Sequence, residues 1–244
     1  MADSDKPKLN HSYGIINKEY AFTLATRPPE EDGPIYMVNL MKYREIAEYD
    51  AQDDASTPIS GRDADDQYNP ASILNKLGAA IVFVADVERT DVGVDDWDRI
   101  AIVRYPTRMS FVEMQSRKDF GEKHKHKAAG MLRTTLIACR PSNAALDDVE
   151  RPIPTKPHTT VMVVRGNTDN SLKTDATPPT FVAEGTVLSD GRMWEVVDLI
   201  HTESPDETDR IVNQYRGHDP GATYVLTLRT TLDSVTAAAL PHNK

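Results

Sequence analysis

Phe83-Val84-Ala85, followed after a polar turn by Trp97-Asp98-Arg99-Ile100-Ala101-Ile102-Val103, has a counterpart later in the chain. There Phe181-Val182-Ala183 precedes a similar turn and Trp194-Glu195-Val196-Val197-Asp198-Leu199-Ile200. Both stretches lead into a polar, helix-compatible segment and then a Thr/Leu-rich strand. Internal self-similarity constrains architecture before any residue is read for chemistry. It predicts two copies of one small α+β unit in a single chain.

The chain has 244 residues, a formal net charge of -10 and one cysteine, Cys139. That length suits one large domain or two of roughly 100–130 residues. The acidic balance disfavours nucleic acid, which needs a basic face, and repels an anionic membrane surface. No apolar run approaches the ~20 residues of a membrane span. The acidic start, Met1-Ala2-Asp3-Ser4-Asp5, is unlike a signal peptide. A lone cysteine allows neither an intrachain disulfide nor a cysteine-rich zinc site. The expectation is a cytoplasmic protein.

Working outward, residues 1–32 read as an N-terminal arm with a short helix or docking segment, closed by the Pro28-Pro29 break. Ile35 to Tyr43 reads as a strand. Glu45 to Gln67 is polar and acid-rich, with a turn at Ser60-Gly61-Arg62. Pro70 to Leu77 suits a helix with Asn69 as N-cap, Pro70 at N1 and Gly78 as the stop. Ala79 to Glu88 and Trp97 to Tyr105 form a hairpin. Thr107 caps a helix to about Arg117, Lys118 to Met131 continues irregularly, and Leu132 to Arg140 is a strand. The order β-α-β-β-α-β is the split βαβ, or ferredoxin-like, arrangement. After a Pro-rich linker (142–157) it recurs over 158–235, with strands at Thr159 to Arg165, Phe181 to Leu188 and Met193 to His201. A helix opened by Ser204 and Pro205 follows, then a strand from Thr223 to Leu232 and a tail, 236–244. Gly166 to Pro179 is too polar for a good helix, so the second unit is degenerate there. The expected fold is α+β, with two tandem ferredoxin-like units packed sheet to sheet and each covering the other's apolar face. Such a molecule would be a monomer that mimics a dimer, or at most a weak homo-oligomer.

The segment Gly33-Pro34-Ile35-Tyr36-Met37-Val38-Asn39-Leu40-Met41-Lys42-Tyr43-Arg44, with Ala47 and Tyr49, resembles the first strand of an uncharacterised group in the dimeric α/β-barrel superfamily. Trp97-Asp98, Val103-Arg104-Tyr105-Pro106-Thr107-Arg108 with Phe111, and Phe120…His124…His126-Lys127…Gly130-Met131 are similar to its later elements. The resemblance covers Gly33 to Pro141. It implies an intrachain dimeric α/β barrel with a pocket between one sheet and its own helices. It brings within range cofactor-free monooxygenases, lactone isomerases, cyclases, aldehyde- and oxime-processing enzymes and haem proteins. The second half departs from it, since Val164 stands where Asn39 stands, so residues 33–141 are expected to hold the site.

Polar residues intruding on apolar strands are the candidates. Asn39 reads either as an amide capping neighbouring backbone or as a substrate contact. Tyr43 and Tyr49 are either amphipathic filler or hydrogen-bond donors to a carbonyl. Arg104 shares a face with Ile100 and Ile102. It suits a carboxylate or enolate, or an ion pair with Asp98 or Glu88; its counterpart is His201. His124 and His126 are either part of a charged surface run or a general acid and base. On a helix they diverge by about 200° and cannot share a metal. The acid-rich loop (Asp50, Asp53, Asp54, Asp63, Asp65, Asp66) lacks calcium-loop spacing, and nucleotide-binding and serine-hydrolase motifs are absent. The expectation is an enzyme without metal or other cofactor, acting by proton transfer on a small organic carbonyl or carboxylate compound as an isomerase, lyase or cyclase. Arg104 and Asn39 hold an oxyanion, His124 or His126 with Tyr43 moves the proton, and Tyr49, Trp97 and Phe111 complete the binding set. A cofactor-free monooxygenase, a haem protein and a non-catalytic ligand-binding module are the alternatives.

Overall fold

A computed structural model describes residues 12–50, 58–144, 156–166 and 179–236. The first residues of the arm, Asp53 and Asp54, most of the Pro-rich linker, the degenerate segment after Gly166 and nearly all of the tail lie outside the described residues.

Among the described residues nine strands form, in chain order, β1 (Ile15–Ile16), β2 (Ile35–Tyr43), β3 (Ala80–Val92), β4 (Arg99–Tyr105), β5 (Met131–Pro141), β6 (His158–Arg165), β7 (Phe181–Ser189), β8 (Val196–Thr202) and β9 (Thr223–Asp233). The helices among the described residues are α1 (Lys18–Thr26), α2 (Gly61–Tyr68), α3 (Ala71–Lys76), α4 (Arg108–Ser116), α5 (Lys118–Gly130) and α6 (Pro205–Gln214), with a 3-10 turn at Pro29–Glu31.

The expected pair of ferredoxin-like units packed sheet to sheet as a dimeric α/β barrel is not what the chain builds. The strands run β7-β5-β2-β4-β3-β9-β6-β8 and close through β7 against β8, giving one antiparallel barrel of eight strands, with β1 added beside β7. The two halves therefore join edge to edge through backbone hydrogen bonds. β3 pairs with β9 from Phe83↔Asp233 to Val92↔Val225, and β5 pairs with β7 from Leu136↔Leu188 to Pro141↔Phe181. Separate sheets would leave their edge N–H and C=O groups unpaired, and closure removes those edges. Register shifts at Val84/Ala85, Val87/Arg89, Leu136/Ile137 and Ala138/Cys139 bend the long strands round the corners. The seam is slender, only Phe181↔Val197 and Val182↔Val196.

Alternation sorts the side chains. Tyr36, Val38, Leu40, Ile100, Ile102, Ile137, Cys139, Met162, Val164, Tyr224 and Leu226 fill the barrel's interior as one core. Trp97 and Trp194, the repeated tryptophans, pack either side of Tyr224 with ring centroids 5.9 and 4.8 Å away. On the outside, α6 covers Val161, Val163 and Val225 with Ile211, Val212 and Tyr215. The remaining helices cover the outer face of β2, β4 and β5, so β2 is buried on both faces, as its nearly unbroken apolar run requires.

The acid-rich stretch is not a loop throughout. Ser60 accepts a hydrogen bond from the Asp63 N–H and caps α2, whose Ala64 and Tyr68 turn inward. The segment after Lys118 is a regular helix, α5, crossing α2 where Gly61 and Gly130 meet backbone to backbone. α4 starts at Thr107 as expected, and Asp32 accepts from its first amides, Arg108 N–H at 2.8 Å and Met109 N–H at 3.2 Å. Arg108 itself is fully buried. It ion-pairs with Asp32 at 3.2 Å and donates from Nε to Glu184 of β7 at 2.7 Å, tying the helical layer of one half to a strand of the other. Among the described residues, no helix is long and apolar enough to cross a membrane.

Candidate functional site

A cavity of about 510 Å³ lies between the outer face of β2, β4 and β5 and the helices that cover it. Its walls are mainly apolar, from Leu24 of α1, Met37 and Met41 of β2, Phe111 and Met114 of α4, Leu136 of β5 and Leu188 of β7. Polar groups enter on one side: Asn39, Asp65, Asp66, Tyr68, Arg99, His124 and Lys127, with Tyr13 from the arm. A largely apolar pocket with a few convergent polar groups is the usual form of a small-molecule site.

The helix α5 supplies two of them. Phe120, His124 and Lys127 fall at i, i+4 and i+7, one face of a helix. His124 is buried against the Phe120 and Tyr68 rings, and its Nε2 shares a hydrogen bond with the Tyr13 hydroxyl at 3.0 Å. Lys127 reaches past it. Its ammonium lies 3.5 Å from Asn39 Oδ1, at the limit of a hydrogen bond, and 5.5 Å from the centre of the Tyr68 ring. Part of its stem stays accessible, but its amine is packed about by the cavity walls. Burial holds its pKa below the ordinary lysine value, with the charge of Asp65 acting in the opposite direction. Asn39 anchors the far side. Its Nδ2 donates to the Met37 and Ala101 carbonyls at 3.1 and 3.3 Å, leaving Oδ1 directed at Lys127. It is thus both a backbone cap and a cavity group.

The phenols behave differently from the amine. Burial raises the pKa of Tyr13, Tyr68 and Tyr105, so they stay protonated and act as hydrogen-bond donors, not bases. Asp65 accepts from the Tyr43 hydroxyl at 2.7 Å and faces Arg99 at 3.4 Å, while Asp66 holds Arg99 at 2.7 Å. The carboxylates are fixed at the wall by groups behind them.

Of the residues expected from sequence, the structure gathers Asn39, His124 and Phe111 at the cavity. Tyr43 does not line it and reaches it only through Asp65. His126 turns outward on α5 and bonds the Tyr49 hydroxyl through Nδ1 at 2.8 Å, so both stand apart from the cavity. Trp97 is buried in the barrel interior under the Arg133 guanidinium. Arg104 lies opposite Tyr36 in the β2–β4 ladder, on the barrel's inner-facing side, and does not line the cavity. Tyr13, Asp65, Tyr68 and Lys127 join the cavity without being among the site residues expected from sequence. The signal for Lys127 was present in its helical spacing from Phe120. Asp65 and Tyr68 needed α2 to be recognised, from Ser60 three residues before an acid. Among the described residues, no cluster of three His, Cys, Asp or Glu side chains offers a metal site.

No family model matches the chain, and no curated protein matches it. Two solved structures of RPA0582 are similar to part of it. One, of the methylated protein, is 28% identical and covers 54% of this chain and 97% of that one, with a TM-score of 0.45. The other, described as a protein of unknown function from Rhodopseudomonas palustris, is 27% identical and covers 54% and 98%, also at 0.45.

Proposed function

We propose that the protein is an enzyme of the proton-transfer type, an isomerase, lyase or cyclase, acting on a small and largely apolar carbonyl or carboxylate compound bound in the cavity outside β2. The observation that carries this reading is the convergence of Asn39, His124 and Lys127 on one side of an otherwise apolar chamber. The Lys127 amine hydrogen-bonds a developing oxyanion, and Asn39, whose own N–H groups are taken by the Met37 and Ala101 carbonyls, holds that amine in place through Oδ1. His124, positioned by Tyr13, carries the proton. Arg104, Tyr43 and His126 have no direct part. The chain works in the cytoplasm, where its one cysteine, buried inside the barrel, meets no oxidising demand.

The test is α-proton exchange. Small aldehydes, ketones and carboxylates are incubated with the protein in deuterated buffer and followed by proton NMR. The reading expects deuterium incorporation for part of the panel, lost by about 10²–10⁴-fold in His124→Ala. Tight binding without exchange by any compound would make the protein a sequestering module instead. Its purified form is expected to show no Soret band.

A further inference from the structure

We infer that Lys127 is a covalent catalytic group, whose amine captures an aldehyde or ketone in the cavity as an imine. The inference rests on the reading of the cavity as a functional site and narrows its ligand to small, uncharged, apolar carbonyl compounds.

Three observations converge on it. First, the amine sits inside the chamber with its stem on α5, 3.5 Å from an amide oxygen and over an aromatic ring. Among the described residues no carboxylate lies within ion-pair distance of it, although Asp65 and Asp66 share the cavity wall. Those two are committed to Arg99 and, for Asp65, to the Tyr43 hydroxyl as well. Second, the groups facing the amine are Asp65 and Tyr68 from α2, Asn39 from β2 and His124 from its own helix. With the amine uncharged, the wall holds the two carboxylates against the single guanidinium of Arg99, an excess of negative charge that opposes an anionic ligand and not a neutral carbonyl. Third, burial favours the uncharged amine, which is the nucleophilic form.

The chemistry balances without an oxidant or a further reactant. The neutral Nζ attacks the carbonyl carbon; a C–N bond forms and the carbonyl π electrons move to oxygen, which takes up a proton. Nitrogen then loses a proton and the hydroxyl takes one up; the nitrogen lone pair forms the C=N bond as the C–O bond of the carbinolamine breaks, and water leaves. The protonated imine draws electrons from the adjacent carbon and so loosens its α-proton. His124, three residues before Lys127 on the same face of α5, is the group placed to carry protons in both stages.

The experiment uses hexanal as probe, 1-hexanol as its carbonyl-free counterpart, and cyanoborohydride to reduce any imine. Binding of both compounds is measured by calorimetry, and adducts are located by peptide mass mapping. The expected result is one reduced adduct at Lys127, in preference to Lys123 and Lys125 on the same helix, and loss of that adduct in Lys127→Arg. In the unsubstituted protein, trapping at Lys127 should also rise with pH at a lower midpoint than at Lys123 and Lys125, a readout that needs no variant to fold. If hexanol and hexanal bind but labelling follows surface exposure or spares Lys127, the imine is overturned and the cavity reading survives. If neither compound binds, both fall.

Discussion

The ammonium of Lys127 lies 3.5 Å from the side-chain oxygen of Asn39, joining helix α5 to strand β2 across the cavity. Burial holds the lysine pKa below its ordinary 10.5, whereas the unfolded chain has the ordinary value. Between the two values the unfolded state binds more protons, so stability rises with pH across that window. Below the window the desolvation cost is fully present. Lys127→Met should therefore stabilise the protein at pH 7 by about 0.5–2 kcal/mol while removing function, the usual trade at a working site. The gain should shrink as pH rises toward the ordinary lysine value. Urea unfolding at several pH values measures it; a destabilisation that is the same at every pH would contradict the account.

Arg108 should be the most costly polar residue to remove. Arg108→Ala leaves Glu184 and Asp32 facing each other in a buried setting, with an expected loss of about 3–5 kcal/mol. Burial alone would raise the Glu184 pKa, but the Arg108 hydrogen bonds and charge outweigh it and hold the carboxyl below its ordinary 4.5. Asp32 is likewise held below 3.8, its burial offset by the α4 amides and Arg108. Folded values below the unfolded ones contribute stability that is present above the unfolded pKa and lost as pH falls through the folded values. An acid titration of stability should steepen below 4.5 in the native protein and be flatter in Arg108→Ala.

Gly130 and Gly61 let α5 and α2 meet backbone to backbone. A methyl at Gly130 would collide with the Gly61 carbonyl, which is not the movable end of a side chain. Gly130→Ala should cost about 1–3 kcal/mol and weaken probe binding, because both helices carry cavity residues. Ala at Gly33, where a Cβ meets nothing within 4 Å, is the control.

The two histidines should separate cleanly. His124→Ala should abolish exchange activity as stated above. His126→Ala should leave it within about twofold, since surface changes away from a site rarely exceed 0.5 kcal/mol. Equal losses in both would undo the assignment of roles on α5.

The closed ring bears on assembly. Every barrel strand is paired on both sides, so no barrel edge is open to a second copy. Light scattering should report a monomer at working concentrations. Amide exchange should be fastest along β8 where it meets β7, the shortest pairing in the ring.

Much of the chain was legible from local chemistry. Ile35–Tyr43 read as a strand because an apolar run flanked by Pro34 leaves little choice, and Thr107 and Ser204 announced their helices as N-caps. The closure of the barrel was not legible, because it rests on which strand edges meet across long separations, as in β3 with β9, and no local pattern encodes that. α2 was hidden by its composition: Gly61-Arg62-Asp63-Ala64-Asp65-Asp66-Gln67 looks solvated until Ala64 and Tyr68 are set on one face. The site divided the same way. Asn39 stood out against its apolar neighbours, whereas Lys127 was lost among the charges of 122–127. Arg104 was assigned to the correct face with Ile100 and Ile102, but that face turns into the barrel and not toward the helices.

The most direct test is a crystal structure of the protein grown with a saturating small carbonyl compound. Density between Asn39, His124 and Lys127, in the chamber bounded by β2 and α5, is the predicted result. Density confined to the second half, between Trp194, His201 and α6, would contradict the account.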